Sequence, residues 1–395
     1  MRNILLVPAL LGLAAQVAHA QVQVSGRVLD AHTRQPVPYA SVQVPGTTLG
    51  TTANAEGDFA LRLPQLPAKV LAFSLGYGRD SATVVQAGAA LLLRLVPAPI
   101  VLPTAEPPSY AAQLLLRAYR QVQRTRAQAQ YGQAFYRQVT RNADEPTEVL
   151  EAVWDVKASS AGLAGSRLAQ GRYGAKPAPM DFSNFSVYTK SLGGFCGIAA
   201  TDTADSHAVV SADPNKYFVL HYRGLTQSGA HQLAEIAYES RPGMPLVQGS
   251  VYIDLASYQV LHARATRQLE VKSTSRKVNF RDGSVTVEAD FTPTATGALP
   301  NYVKVNSKLV MARQGKPDAP VRAESLTYFY DLRPAPTGLP YAGPDAVASD
   351  LAAIRQKTYD PAYWRDLAVV QRTPLEDEIM HSFEDKKAFG TLLNK

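Results

Sequence analysis

Cysteine is almost absent: Cys196 is the only one in 395 residues. A single thiol excludes an internal disulfide and any thiolate zinc cluster, and Cys196 reads as a small buried hydrophobe. Charge is also sparse, at 18% of residues, where globular proteins average roughly 25%. With 46% apolar residues and a formal charge of only +7, the chain cannot be disordered, which requires low hydrophobicity and high net charge. After residue 20, no run reaches the roughly 18 apolar residues of a spanning helix. The sequence closes on Leu392-Leu-Asn-Lys395, without the terminal aromatic usual in outer-membrane barrels.

Catalytic signatures are missing as well. No Gly-x-Ser-x-Gly elbow, phosphate loop or His-Glu-x-x-His motif occurs. One His-x-x-Glu is present, His381-Ser-Phe-Glu384, but a carboxypeptidase-type zinc site needs a further histidine downstream, and none follows. His221 and His231 lie in segments that read as strands and could meet across a hairpin, yet isolated strand histidines are ordinarily structural. His231 and Glu235 would share a helix face, but here too the pattern is strand. Asp202, Asp205 and His207 read as a polar surface loop, without the oriented bonds of a triad. Lys272, Arg276, Lys277 and Arg281 flank a hairpin and read as a charged strand edge rather than a nucleic-acid site. These absences lead to an expectation of no catalytic residue, no cofactor and no metal.

Among the features that are present, residues 1–20 form a secretory signal peptide. Arg2 is its positive start, Ile4 to Val17 its apolar stretch, and Ala18-His-Ala20 an A-x-A site cleaved between Ala20 and Gln21. Loss of Arg2 lowers the charge from +7 to +6. Residues 21–97 then alternate short strands and turns at the even spacing of a β-sandwich. Gly26-x-Val28-x-Asp30-x-x-Thr33-x-x-Pro36, Ala40-x-Val42-x-Val44-x-Gly46-Thr47, Gly50-Thr51 and Asn54-x-x-Gly57-x-Phe59 follow in order. That order resembles the carboxypeptidase regulatory-like domain, and the resemblance implies a transthyretin-like, carbohydrate-binding-like β-sandwich and no chemistry. Thr33-Arg34 departs from relatives that carry Gly after the Thr. Asp30, Thr33 and Asn54 are expected to shape turns, not to bind.

Five prolines between Pro97 and Pro108 mark a linker, residues 98–108. The spacing of Tyr110, Leu114, Ala118 and Val122 predicts a helix from about Ser109 to Gln130. Arg117, Arg120 and Arg124 fall on another face of it, in a stretch from Pro107 to Asn142 that has six arginines and no acid. They are the candidate contact for an anionic surface, lipid headgroup or acidic polysaccharide; the alternative is an ordinary solvated face. From Tyr131 alternation returns, with Phe135–Arg137 against Glu148–Val156, Lys216–Tyr222 against His231–Tyr238, and Gly249–Asp254 against Tyr258–His262. Residues 109–344 are therefore expected to form the helix plus a long antiparallel β-meander with one face covered. Residues 345–395 are a helical tail, with helix starts at Asp360-Pro361 and Thr373-Pro374.

Phe135–Arg137, the Gly249–Asp254 hairpin and this tail together resemble bacterial carboxypeptidase-like regulatory domain-containing envelope proteins, a family without an established reaction to carry over. The fold expectation is mainly β: an N-terminal sandwich, then a larger antiparallel sheet with a preceding helix and C-terminal helices. The functional expectation is a non-enzymatic exported binding or scaffold protein of the periplasm or the periplasmic face of the outer membrane. Its partner would be an envelope glycan, a lipid or an outer-membrane protein, not nucleic acid. The alternatives are a lipid or lipoprotein carrier with a cavity in the curved sheet and, further off, a hydrolase.

Overall fold

The computed structural model describes residues 22–88, 90–99, 101, 109–178, 186, 195, 207–270, 277–343, 350–367 and 369–389. The expected signal peptide with Ala20 and Gln21, residues 102–108 of the linker, Cys196, Asp202, Asp205, Lys272 and Arg276 lie outside the described residues.

The first seven strands form two facing sheets. One holds β4 (Asp58–Leu63), β1 (Val22–Asp30) and β7 (Leu91–Leu95); the other holds β3 (Gly50–Thr52), β2 (Ser41–Gln43), β5 (Ala68–Phe73) and β6 (Arg79–Val84). Alternation sends Val24, Val28, Phe59, Leu61, Leu63, Leu93 and Leu95 into a common core. A Cβ at Gly26 would meet the Leu91 carbonyl oxygen at 2.5 Å and the Phe59 ring at 2.6 Å. Only glycine lets β1 lie this close to both neighbours. The Asp30 carboxylate accepts the His32 and Thr33 N–H groups at 2.8 Å each, and Asn54 Oδ1 accepts those of Glu56 and Asp58 at 2.9 Å. Both residues shape turns, as expected of side chains that mimic a backbone acceptor.

Ten further strands make one antiparallel sheet. From β8 (Gln130–Asn142) the chain runs through β9 (Glu145–Ser159) to an edge at β10 (Gly162–Ala175). It re-enters at the opposite edge with β11 (Phe218–Ser228) and β12 (His231–Ser240), followed by β13 (Val247–Asp254) and β14 (Val260–Gln268). β15 (Val278–Thr292), β16 (Leu299–Arg313) and β17 (Lys316–Arg333) complete the return, with β17 beside β8. The expected strand pairs are present.

Helix α1 (Tyr110–Thr125) covers one face. Leu114, Leu115, Ala118 and Val122 pack with alternate residues of nearly every strand, among them Tyr136, Leu150, Ile236, Val251, Val287 and Val305. The helix stops five residues short of the sequence expectation: Thr125 turns its hydroxyl onto the Gln121 carbonyl at 2.9 Å, and Gln130 already begins β8. A second difference is that both faces of the sheet are covered. Thr147 to Trp154 are buried at eight consecutive positions, the pattern of a strand enclosed on both sides. Helix α2 (Asp350–Arg355) packs at the β10 edge on the α1 side, where Ile354 joins the same core as Tyr173. On the second face lie α3 (Pro361–Asp366) and α4 (Pro374–Asp385), and beside them the sandwich.

The sandwich is fastened at both ends. Gly76 donates its N–H to Gln227 O at 2.8 Å, and Val101 pairs with Leu225 through two bonds of 2.9 and 3.0 Å. At the other end, the Thr51 hydroxyl and the Asn54 amide donate to Val369 O and Arg372 O, at 3.0 and 3.2 Å. Asn301 reaches from β16 to the Ser41 hydroxyl at 2.9 Å.

Candidate functional site

Strand register arranges the second face into rows of directly opposed side chains. One row reads Glu235, Tyr252, His262, Asp290 and Tyr302 across β12 to β16. The next reads Ser250, Arg264, Glu288, Lys304, Leu326, Arg137, Glu151 and Arg172 across β13 to β10. Opposite charges alternate along most of this second row, the favourable cross-strand arrangement. The character of the face changes along the sheet. Under the tail, Phe135, Val139, Val149 and Val153 are buried against Trp364, Val370, Ile379 and Phe383, and the charges among them are closed into tight ion pairs. Under the sandwich, at β12 to β16, the face is charged.

A cleft of about 410 Å³ lies there. Its floor carries Glu235, Tyr252, His262, Arg264, Glu288 and Asp290; Tyr39, Ser41 and the Phe73–Leu75 segment of the sandwich form its roof. His262 is buried, with Nδ1 at 3.5 Å from Asp290 and Nε2 at 3.8 Å from Glu288. The Tyr302 hydroxyl donates to Glu288 at 3.2 Å, and Asn301 donates to Asp290 at 2.8 Å. Glu235 accepts a long bond, 3.5 Å, from Ser250 and is a hydrogen-bond partner of the Tyr252 hydroxyl. Burial pushes the Tyr302 hydroxyl well above its usual range, helped by Asp290 and Glu288. It pushes Tyr252 up too, with Glu235 adding to the effect. Both phenols are therefore neutral donors.

Tyr39 divides this cleft from a second cavity of about 410 Å³, walled by Arg137, Arg141, Lys304, Glu324 and Glu376 and by Asn54 and Gln371. The Lys304 ammonium sits 4.0 Å from the Tyr39 ring centre. Burial lowers the Lys304 pKa, outweighing the attraction of Glu288 and Glu324. Tyr39 has a φ of 57°, a left-handed conformation that costs a non-glycine residue on the order of 1 kcal/mol or more. The strain falls on the one sandwich side chain that walls both cavities.

Beyond the second cavity the charged row becomes a buried network. Glu151 receives Arg137 Nε at 2.7 Å and Arg172 Nη2 at 2.5 Å. Arg172 also reaches Glu384 of α4 at 3.1 Å and stacks between Trp364 and Phe389, 4.7 and 4.6 Å from their ring centres. Burial opposes ionisation of Glu151, but Arg137, Arg172 and Arg372 together hold its carboxyl down to about 2. This cluster fixes the tail to the sheet.

Arg117, Arg120 and Arg124 lie together on the exposed side of α1, along an open groove that includes Tyr119, Ala212 and Tyr258. Arg117 donates to the Tyr258 hydroxyl at 2.8 Å, and Arg124 to Gln121 at 2.8 Å. His221 and His231 do not meet: His221 opposes Ala237, whereas His231 opposes Ser228 and lies 3.4 Å from Asp254. The His207 ring lies tilted against Tyr217, 4.2 Å between ring centres. His381 bonds the Asp377 carbonyl within α4, and Glu384 faces Arg172. Among the described residues, no group of three or more His, Cys, Asp and Glu side chains could hold a metal ion.

The cleft residues were not among the sequence candidates, although a signal was present. His262-Ala-Arg264, Glu288-Ala-Asp290 and Tyr302-Val-Lys304 each place two polar groups around one small or apolar residue. Three such triplets in paired strands mark one charged face.

Residues 24–95 match the family model of the CarboxypepD_reg-like domain, so the sandwich is a regulatory-like domain of that kind, which is non-catalytic. No curated protein matches the chain. Among solved structures, the tesB protein of Mycobacterium avium subs paratuberculosis is similar over 55% of this chain and 84% of its own, at 10% identity. The TM-score of 0.10 carries no argument about fold or activity. No helix among the described residues is long and apolar enough to cross a membrane.

Proposed function

We propose that this is an exported, non-catalytic binding protein of the bacterial cell envelope, and that the cleft between the regulatory-like sandwich and the sheet is its recognition site. The observation that carries the reading is that, where the sandwich replaces the tail, the face no longer has apolar packing around tightly paired ions but opens into a cleft lined by Glu235, His262, Glu288 and Asp290. A contact serving only to hold two domains together gains little from a half-buried Glu288 and Asp290 around a buried His262, because desolvated charge is costly without full pairing. A polar, partly open cleft of about 410 Å³ suits a small hydrophilic ligand, within the size range of known sites. The carrier alternative would use the helix-covered face. Between α1 and the sheet, the cavity beside Val122, Phe195 and Phe291 is about 30 Å³, far too little for an acyl chain, and the groove outside the helix is lined by Arg117, Arg120 and Arg124.

The test has two parts. Fractionation of the native cell should recover the protein in the periplasm or at the outer membrane, beginning at Gln21; recovery in the cytosol with residues 1–20 intact contradicts export. Thermal shift with small amines, neutral saccharides and organic acids should raise the Tm of the native chain for one class, and not that of Asp290→Asn. If no class does so, the cleft is not a recognition site.

A further inference from the structure

The cleft's charge and its linear layout narrow the ligand further. Resting on the reading of the cleft as a recognition site, we infer that it takes a linear polyamine, laid along the row from Glu235 to Asp290. Among its lining residues, three carboxylates face one guanidinium: Glu235, Glu288 and Asp290 against Arg264. The carboxylates are not equivalent. Glu288 stands between Arg264 and Lys304 in its row, which offsets its charge. Glu235 and Asp290 belong to the other row, with only Tyr252 and His262 between them and no lysine or arginine. Neither has a lysine or arginine within ion-pair distance among the described residues.

The separation selects length. Glu235 and Asp290 are three strands apart, roughly 14 Å between their backbones at the usual strand spacing. With each ammonium about 3 Å from its carboxylate, a triamine of spermidine length can bridge the two acids, whereas a putrescine-length diamine reaches only one. Between the two acids, the rings of Tyr252 and His262 meet edge to face, 5.5 Å apart. This makes an aromatic shelf for the methylene chain and for cation–π contact with an inner amine. The roof closes over the shelf from Tyr39 to Leu75. A metal ion does not fit: Glu235 lies three strands from Asp290, and among the described residues no three His, Cys, Asp or Glu side chains are placed to hold one. The protein as a whole carries +7, so diffuse attraction does not explain polyamine binding, and any affinity must be local.

Isothermal titration at physiological salt tests this with the full exported chain. Spermidine should bind at least tenfold more tightly than putrescine. Its diacetylated form, with both end charges removed, should lose most of that affinity. Glu235→Gln and Asp290→Asn should each weaken spermidine about tenfold, the Glu235→Gln variant staying folded because its amide oxygen can still accept from Ser250 and Tyr252. Spermidine binding that survives both substitutions lies elsewhere and overturns the inference. So does equal affinity for spermidine and its diacetylated form. If a neutral saccharide binds in an Asp290-dependent way and spermidine does not, the polyamine inference falls and the cleft reading stands. If no amine, saccharide or acid binds, both fall.

Discussion

At Glu151 a single side chain decides whether two buried guanidiniums are tolerated. Its carboxyl is held down to about 2 from an ordinary 4.5, so the folded state binds that proton later than the unfolded state does. The stability it contributes is complete above pH 4.5 and is lost as the pH falls through about 2. The loss should be on the order of 3 kcal/mol at the rate of about 1.4 kcal/mol per unit, read as a falling urea midpoint between pH 5 and pH 2. Glu151→Gln removes the same charge at neutral pH. Arg137 keeps Glu376 at 3.5 Å and Arg172 keeps Glu384 at 3.1 Å, but both lose their shared buried partner. The expected cost is about 3–5 kcal/mol in equilibrium unfolding, and a cost below about 1 kcal/mol would show that the network holds nothing. This cluster was not readable from sequence. Arg137, Glu151 and Arg172 are 14 and 21 residues apart, and only the register of three strands makes them neighbours.

Local chemistry specifies individual elements far better. Asp360 accepts the N–H groups of Ala362 and Tyr363 at 3.0 and 3.2 Å, ahead of Pro361. Thr373 and Glu376 cap α4 reciprocally, at 3.1 and 2.8 Å. Both helix starts are visible in the sequence because the capping residues lie within three positions of one another. Thr373→Ala should cost about 1 kcal/mol, measured by denaturant unfolding. Because α4 carries Ile379, Met380 and Phe383 onto Val139 and Val149, the same change should speed hydrogen exchange in α4 before it does so in the sheet core. Uniform exchange across both would contradict a separately capped tail. The end of α1 was less readable. Gln128 and Gln130 continue a helical composition, but the pairing of Gln130 with Ala158 of β9 takes that residue into the sheet; tertiary pairing overrides a weak local preference.

Over the whole molecule, two unlike coverings share one face of the ten-stranded sheet. The tail covers it with apolar packing closed by a buried ion network. The regulatory-like sandwich is fastened at both of its ends, through backbone bonds at Gln227 and Leu225 and through Thr51 and Asn54, with the charged cleft between them. The sequence shows a sandwich, a proline-rich joint, a long meander and a helical tail, because each rests on periodicity or on turn residues close together. Which face the sandwich meets, and that Tyr39 and Ser41 become its contact residues, depends on packing between segments some 200 to 300 positions apart. The face's charge pattern could be seen in three short triplets, but the rows appear only once β12 to β16 are in register.

The central claim is that the cleft holds a small ligand, and native mass spectrometry tests it most directly, on the protein purified without denaturation from the cells that make it. The account predicts a non-covalent adduct on the native chain, small enough for a cleft of about 410 Å³, that is missing from a folded Glu235→Gln/Asp290→Asn variant. A bare chain mass in both proteins, or an adduct kept by the variant, would contradict it.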